Sequence, residues 1–288
     1  MTRMKSNLCL LLTSLIWGCA FVAQSVASAS IGPFAFNGIR FLIAALTVFL
    51  LLPVLKKITG EGSEKQNDAG TLWKAGILSG FVLLTASVLQ QGGIAWTSAG
   101  KAGFLTSLYV VLVPLAGILV GKRPKPTVFI ACLIALAALY LLSKPERGAL
   151  GKGDVLLILS AVCFTIHILV IDHFAPHVDA AKFSAVQFLA AGIFGLIGTA
   201  LFEAPSIAGI EQAMIPILYA GVFSAGLGYT LQTYGQKGAE PSEASVLLSL
   251  ESVFSALAGF VILHETLSVR ELCGCALMFA AVLLSQKQ

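Results

Sequence analysis

The sequence predicts an all-α polytopic membrane protein of ten transmembrane helices, arranged as two inverted five-helix repeats. Composition is the first observation behind this: 57% of the 288 residues are hydrophobic and 11% charged. The second is the character of the apolar runs. FLIAALTVFLLLPVL and FIACLIALAALYLL are apolar all round, without the charged outer stripe of a soluble helix. In a bilayer every backbone polar group must find a partner within the chain, so runs of this length are helices. The third is an internal repeat. LQQGGIAWTSAGKAGFLTSLYVVLVPLAG, shifted by 142 positions, lies without a gap on LQTYGQKGAEPSEASVLLSLESVFSALAG, with about a third of the positions identical.

Hydropathy places the spans near Leu8 to Ala27, Phe34 to Leu55, Ala75 to Trp96, Ala102 to Val120 and Thr127 to Leu142. Five more follow near Val155 to Ile171, Phe183 to Phe202, Ile215 to Gln232, Ser245 to Leu263 and Ser268 to Ser285. The first run follows Arg3 and Lys5 and precedes the small residues Ala27-Ser28-Ala29. It is longer than a signal-peptide core and carries Trp17, Gly18 and Gln24, so it reads as a membrane helix. The second contains Arg40, about 10 Å in from Phe34. The third ends in Gln90-Gln91, and the fourth holds Thr106 and Tyr109, with Pro114 expected to kink it just beyond. RFLIAA at Arg40 parallels QFLAAG at Gln187, which pairs helix two with helix seven. The eighth carries a small-residue stripe, Gly221, Ala225, Gly228 and Gln232, that reads as close packing. The ninth holds Glu251. Residues 1–142 thus form the first repeat, 143–153 an extracytoplasmic linker and 154–288 the second repeat.

Charge reports orientation and excludes nucleic-acid binding, because the basic residues behind the net charge of +4 are scattered over short loops and form no stripe. A cytoplasmic N-terminus puts Arg3, Lys5, Lys56, Lys57, Lys65, Lys74, Lys122, Arg123, Lys125, Lys182, Lys237 and Lys287 inside. Only Lys101, Lys144, Arg147, Lys152 and Arg270 then fall outside, in keeping with the positive-inside rule. Both termini are expected in the cytoplasm. The six cysteines lie in apolar segments with no CxxC spacing, and Pro176 interrupts the His173–His177 pair, so no metal site and no cofactor is expected. Five crossings per repeat make the second copy enter the membrane from the opposite side. Inverted repeats are the architecture that secondary transporters use for alternating access around a midplane site.

The candidate site follows from the polar residues. Glu251 lies roughly 15 Å along a helix that starts near Pro241, where a charge costs about 2.5 to 3.5 kcal/mol even on the lowest scales. It must face protein or water, as a substrate-binding or proton-exchanging carboxylate or as a structural one bonded to a neighbouring helix. Ser255 follows it at helical spacing. Tyr109 holds the repeat-equivalent position, and the two together would bind an amine beside an apolar side chain; Thr106 lies one turn earlier. Gln90, Gln91 and Gln232 end their helices and either bind a polar substrate or cap a hairpin. His167 reads as a proton shuttle or a satisfied hydrogen-bonding residue. Trp17 and Gly18 form a cavity wall or a packing notch. Arg40 reads as snorkelling outward, pairing with a carboxylate, or binding an anionic substrate group, the first two favoured. GVFSAG lacks the nucleophile-elbow order and Glu251 has no second carboxylate within a helical turn. This argues against the alternative of an intramembrane enzyme acting on lipid or a lipid-linked substrate.

These residues form a pattern that resembles the EamA-type permeases of the drug/metabolite transporter superfamily. The likeness rests on LQTYGQKGAEPSEASVLLSLESVFSALAGFVILHETL, AGFLTSLYVVLVPLAGILVGKRP, LLTSLIWGCAF and RFLIAA, and covers essentially the whole chain. It implies a carrier of the bacterial cell inner membrane that moves small organic metabolites, often amino acids and usually outward, through a cavity lined mainly by helices three, four, eight and nine. Its partners would be a small-molecule substrate, protons as a possible coupling ion, and the lipid bilayer, with the chain a monomer or a homodimer. Two positions depart from the family pattern: Ser252 stands where proline commonly follows the helix-nine glutamate, and Lys122 where a glutamate ends helix four. Glu265 keeps the matching acid after helix nine.

Overall fold

A computed structural model describes residues 2–59, 68–97, 99–142, 151–262 and 266–286. The described residues are helical and contain no strand. In chain order the helices are α1 (Arg3–Ala27), α2 (Pro33–Thr59), α3 (Ala69–Ile94), α4 (Ala99–Thr106), α5 (Tyr109–Leu119) and α6 (Pro126–Leu142). The second half begins with α7 (Lys152–Phe174), so that the expected linker's last two residues, 152 and 153, are already helical. There follow a 3₁₀ turn at Ala175–His177, α8 (Ala180–Phe202), α9 (Ile207–Gln212), α10 (Met214–Tyr219), a π-helical segment Ala220–Tyr229 and α11 (Thr230–Gln236). The chain ends in α12 (Pro241–Leu248), α13 (Glu251–Ile262) and α14 (Val269–Ser285). Seven stretches among the described residues are long and apolar enough to cross a membrane: Arg3–Ala27, Pro33–Lys57, Ala69–Ile94, Lys101–Leu119, Lys152–His177, Ala180–Phe202 and Met214–Gln236. Pro126–Leu142 is a shorter apolar helix. Leu263, His264, Glu265, Lys65, Lys144, Arg147 and Lys287 lie outside the described residues.

The two halves pack with matching contacts. α2 packs on α8, and α6 on α14. α3 packs on α7 and α8, as α11 and the π segment pack on α1 and α2. Individual atoms repeat the pattern. The Thr13 hydroxyl donates to the carbonyl of Gly228 at 3.1 Å, and the Ser160 hydroxyl to that of Ala86 at 2.9 Å. A Cβ on Gly93 would meet Leu157 Cγ at 2.6 Å and the Gly153 oxygen at 3.0 Å; on Gly235 it would meet Leu10 Cγ at 2.6 Å and the Ser6 oxygen at 3.1 Å. These close approaches explain why glycine stands at both positions. α2 and α8 run antiparallel: a Cβ on Gly192, Gly195 or Gly198 would press on Leu42, Gly38 or Phe34 respectively.

Three expected helices are interrupted. The fourth breaks between α4 and α5 and the ninth between α12 and α13, at the repeat-equivalent pairs Ser107-Leu108 and Ser249-Leu250. The same i→i+3 bonds bridge both breaks. Leu108 N–H donates to Leu105 and Val110 to Ser107, at 3.4 and 3.0 Å; Leu250 donates to Leu247 and Ser252 to Ser249, both at 3.2 Å. Proline is not the common cause, because Pro114 sits five residues inside α5 and Ala256 holds its place in the second copy. Both copies share Leu-x-Ser-Leu at the break, and the Ser249 hydroxyl turns back to the Val246 carbonyl at 2.7 Å, a bond that competes with the helical ladder. The second break forms with Ser252 where the family resemblance leads one to expect proline.

The middle of the eighth span is a π-helix, Ala220–Tyr229. Contacts on either side give the reason. Gly80 and Gly221 are equivalent, since a Cβ on Gly80 would meet the Gln187 carbonyl and Ala190, and one on Gly221 the Arg40 carbonyl and Ile43. Further on, Ala86 is equivalent to Gly228 through the matching hydroxyl bonds. The second copy therefore carries one extra residue between Gly221 and Gly228, and a single insertion inside a helix is accommodated as a wide π turn.

Candidate functional site

The two breaks meet. α4 packs on α13 and α5 on α12, so the broken helices cross with their interruptions together. Tyr109 opens α5 and Glu251 opens α13. The Tyr109 hydroxyl donates to Glu251 Oε1 at 3.0 Å and the Ser107 hydroxyl to the same oxygen at 3.2 Å. Ser107 also lies 3.2 Å from the Ser252 hydroxyl. Glu251 is 4% exposed. The two hydroxyl donors hold its carboxylate.

Beside this junction lies a cavity of about 30 Å³, room for about one or two waters. Its charged members are Arg40 and Glu251, and its polar ones Gln24, Gln90, Thr106 and Ser224. Trp17, Phe21, Tyr109, Phe164 and Tyr229 supply aromatic walls. The Trp17 indole donates to the Ser224 carbonyl at 3.0 Å and stands 4.5 Å from the Tyr229 ring, centroid to centroid. Ser224 lies in the π turn, so the inserted residue places the carbonyl that fixes Trp17. Gln24 Oε1, Arg40 Nε and Thr106 Oγ1 are buried without a hydrogen-bond partner among the described residues. Eleven other buried side-chain atoms among the described residues are likewise unpaired without lining the cavity, so what sets these three apart is that they line it together with Glu251, where a ligand's polar groups could meet them.

Of the residues singled out in the sequence, Glu251, Tyr109, Thr106, Gln90 and Trp17 line the cavity. The others stand around it. Gln91 Nε2 donates to the Gln24 carbonyl at 2.9 Å, and Gln91 lines a second, wider recess with Ser30, Pro33 and Trp96. His167 is fully buried, 3.2 Å from Gln187 Oε1, and its ring lies edge-on to Tyr229. It backs the cavity wall without lining it. Gln232 is buried away from the cavity and Ser255 is half-buried. Ser255 faces Gly18, where a Cβ would come within 2.8 Å of its backbone nitrogen and 2.6 Å of Phe254 Cβ. Gly18 is thus the packing notch that lets α1 reach the helix-nine break. Of the two readings first favoured for Arg40, neither holds: it is 2% exposed and no carboxylate oxygen lies within 4.0 Å among the described residues. Tyr229, Phe164 and Ser224 were not anticipated. A signal for Ser224 was present, because the Gly80–Gly93 and Gly221–Gly235 intervals differ by one residue.

Ion pairs join helices at both ends of the bundle. Lys101 Nζ lies 2.7 Å from Asp154, joining α4 to α7. At the other end Arg3 lies 3.2 Å from Glu243, joining α1 to α12, and Lys122 lies 2.7 Å from Asp172. Positions 101 and 243 are repeat-equivalent and carry opposite charges, but their partners are not: Asp154 corresponds to Asn7, one helical turn beyond Arg3. Among the described residues no group of three or more His, Cys, Asp or Glu side chains could hold a metal ion.

Long apolar helices around a small, polar-lined internal cavity define a multi-pass membrane protein of the transporter class. The chain belongs to the EamA-like transporter family, whose model matches residues 4–144 and 151–286; the family is part of the drug/metabolite transporter superfamily. It is 31% identical over 287 residues to an uncharacterized transporter of Archaeoglobus fulgidus, covering 98% of this chain and 86% of the relative. It is 22% identical to the uncharacterized transporter YoaV of Bacillus subtilis, over 98% and 96% of the two chains. A WAT1-related chloroplastic protein of Arabidopsis thaliana is 23% identical over 93% of this chain and 66% of its own. One solved structure has the same fold, with a TM-score of 0.80 at 19% identity over 99% of this chain and 97% of the other.

Proposed function

We propose that the protein is a secondary transporter that carries small organic metabolites, amino acids or related solutes, outward across the bacterial inner membrane by alternating access. On this reading it has ten crossings, two inverted repeats (1–142 and 154–288) and both termini in the cytoplasm. The observation that carries it is the cavity at the paired helix breaks. It is lined by unpaired polar groups yet is far smaller than the roughly 300 Å³ or more of a small-molecule pocket, so a solute enters only when helices move apart. Discontinuous helices that meet at a central site are what such carriers use to bind and to hinge.

The antiparallel packing of α2 on α8, the matching contacts of the halves and the meeting of the two breaks support inversion. The ion pairs support two closures: Lys101–Asp154 at one end, and Arg3–Glu243 with Lys122–Asp172 at the other. Release toward the end that carries Lys101 is favoured by the Gln24–Gln91 contact, since beyond it the recess lined by Gln91 opens. In this scheme Glu251, Tyr109, Thr106, Gln90 and Trp17 contact the solute, Gln91 closes its path, and His167, Gln232 and Ser255 support the walls. The transporter names of the relatives are the ground for the non-enzymatic reading.

The test is reconstitution in liposomes with a metabolite panel screened by counterflow, comparing wild type with Glu251→Gln over a pH series. Wild type is expected to accelerate a restricted class of solutes, and the variant to lose about tenfold or more in apparent affinity, equivalent to ~1.4 kcal/mol. Unchanged affinity and pH dependence for every solute would make Glu251 structural. A protein that accelerates no solute refutes the transport reading.

A further inference from the structure

Arg40 heads the fully buried side chains of the protein by size. Its guanidinium carbon lies 4.8 Å from the Phe41 ring centroid and 5.2 Å from that of Phe36. The two phenylalanine rings offer π faces but no oxygen acceptor to the guanidinium fork, and Tyr229, which lines the same cavity, is its electrostatic neighbour. Nε is without a partner, no carboxylate lies within reach, and the side chain lines the cavity. A guanidinium keeps its charge when buried, so it requires an anion or water on its open side. Glu251 lines the same cavity without pairing with Arg40: no Arg40–Glu251 contact lies within 4.0 Å, and Glu251 Oε1 is engaged by Tyr109 and Ser107.

We infer that Arg40 is the anion-binding residue of the cavity. The solute presents a carboxylate or another anionic oxygen group to its guanidinium, lays its body against Trp17 and Tyr229, and extends toward Glu251. The fork of N–H donors matches two oxygens at once, which a lysine ammonium does not reproduce. An ammonium group at the solute's far end would complete the charge balance at Glu251. Binding at Arg40 stands on the geometry, whereas passage of the bound solute rests on the transport reading above.

Three matched probe sets separate the two: the common L-amino acids, the corresponding acids without the amino group, and the corresponding amines without the carboxyl group. Binding is read on the purified full-length protein by thermal shift and tryptophan emission, and passage by counterflow in liposomes. At least one probe bearing an anionic group is expected to raise the melting temperature of wild type saturably. Its apparent Kd should weaken by about tenfold in Arg40→Lys and further in Arg40→Gln, while amines change by less than about twofold. If Arg40→Gln does not fold, Arg40→Lys carries the test, since it keeps the charge and removes the fork. Equal binding of the anionic probes by wild type and Arg40→Lys overturns the assignment, and so does their failure to bind wild type. Arg40-dependent binding without counterflow leaves the assignment standing and overturns the transport reading. Counterflow of an anion-free solute that is indifferent to Arg40 does the reverse.

Discussion

Within a bilayer-spanning helix a carboxylate is tolerated when its charge is shared, and Glu251 shares it with the Tyr109 and Ser107 hydroxyls. All of this depends on how closely α1 approaches. Gly18 faces the Glu251 carbonyl and Phe254 at distances that leave no room for a methyl group, 2.8 and 2.6 Å from an added Cβ. Gly18→Ala is expected to lower stability by about 1–3 kcal/mol through overpacking, seen as a lower melting temperature in detergent. An unchanged melting temperature would mean that α1 is free to shift. Trp17 and Gly18 divide the two roles foreseen for them, Trp17 lining the cavity and Gly18 forming the notch. Position along the chain does not separate such neighbours, because about 100° of helical rotation does.

Helix breaks and the π turn belong to the scale of elements, and each has a local cause. The two breaks share Leu-x-Ser-Leu and the same bridging bonds, while Pro114 occurs in one copy alone. A proline in a membrane helix is an obvious place to expect a bend, whereas the shared serine gives a weaker signal, because Ser249 alone turns its hydroxyl back to a helical carbonyl while Ser107 bonds to Glu251. The π turn follows from one additional residue in the second copy. The first copy makes the flanking contacts without it, so deletion of Ser224 is expected to leave a folded protein with a regular eighth helix. Trp17 should then lose its carbonyl partner. The check is a wild-type-like melting profile together with an altered tryptophan emission; loss of folding on deletion would show that the insertion serves packing instead.

Across the whole molecule, the pairs Lys101–Asp154 and Arg3–Glu243 join helices at opposite ends of the bundle. If the ends open in turn, a cross-link at either one arrests transport. The double variants Lys101→Cys/Asp154→Cys and Arg3→Cys/Glu243→Cys are each expected to lose counterflow on oxidation and recover it on reduction. Full activity of either cross-linked protein would exclude opening at that end. A third pair adds a pH signature. The Asp172 carboxylate, hydrogen-bonded to the Lys122 ammonium, raises the Lys122 pKa above its ordinary 10.5. A raised lysine stabilises the fold in full below its unfolded value, and the contribution disappears as pH climbs through the folded one. The melting-temperature difference between wild type and Lys122→Ala should therefore be constant at neutral pH and shrink above about pH 10.5.

Composition and hydropathy by themselves determined that the chain is an all-helical membrane protein, and self-comparison exposed the repeat that the contacts of Gly93 and Gly235 reproduce. Glu251 stood out because a charge in an apolar run has a known cost, and Tyr109 followed as its repeat mate. What only the tertiary structure decided is which faces meet. A helix apolar on every side carries no stripe to say which side is inside, so Tyr229 and Ser224 could not be told from packing residues, nor Gln232 and Ser255 from lining ones, and the side toward which Arg40 turns could not be read. That distinction is made by neighbouring helices, through contacts between residues far apart in the chain.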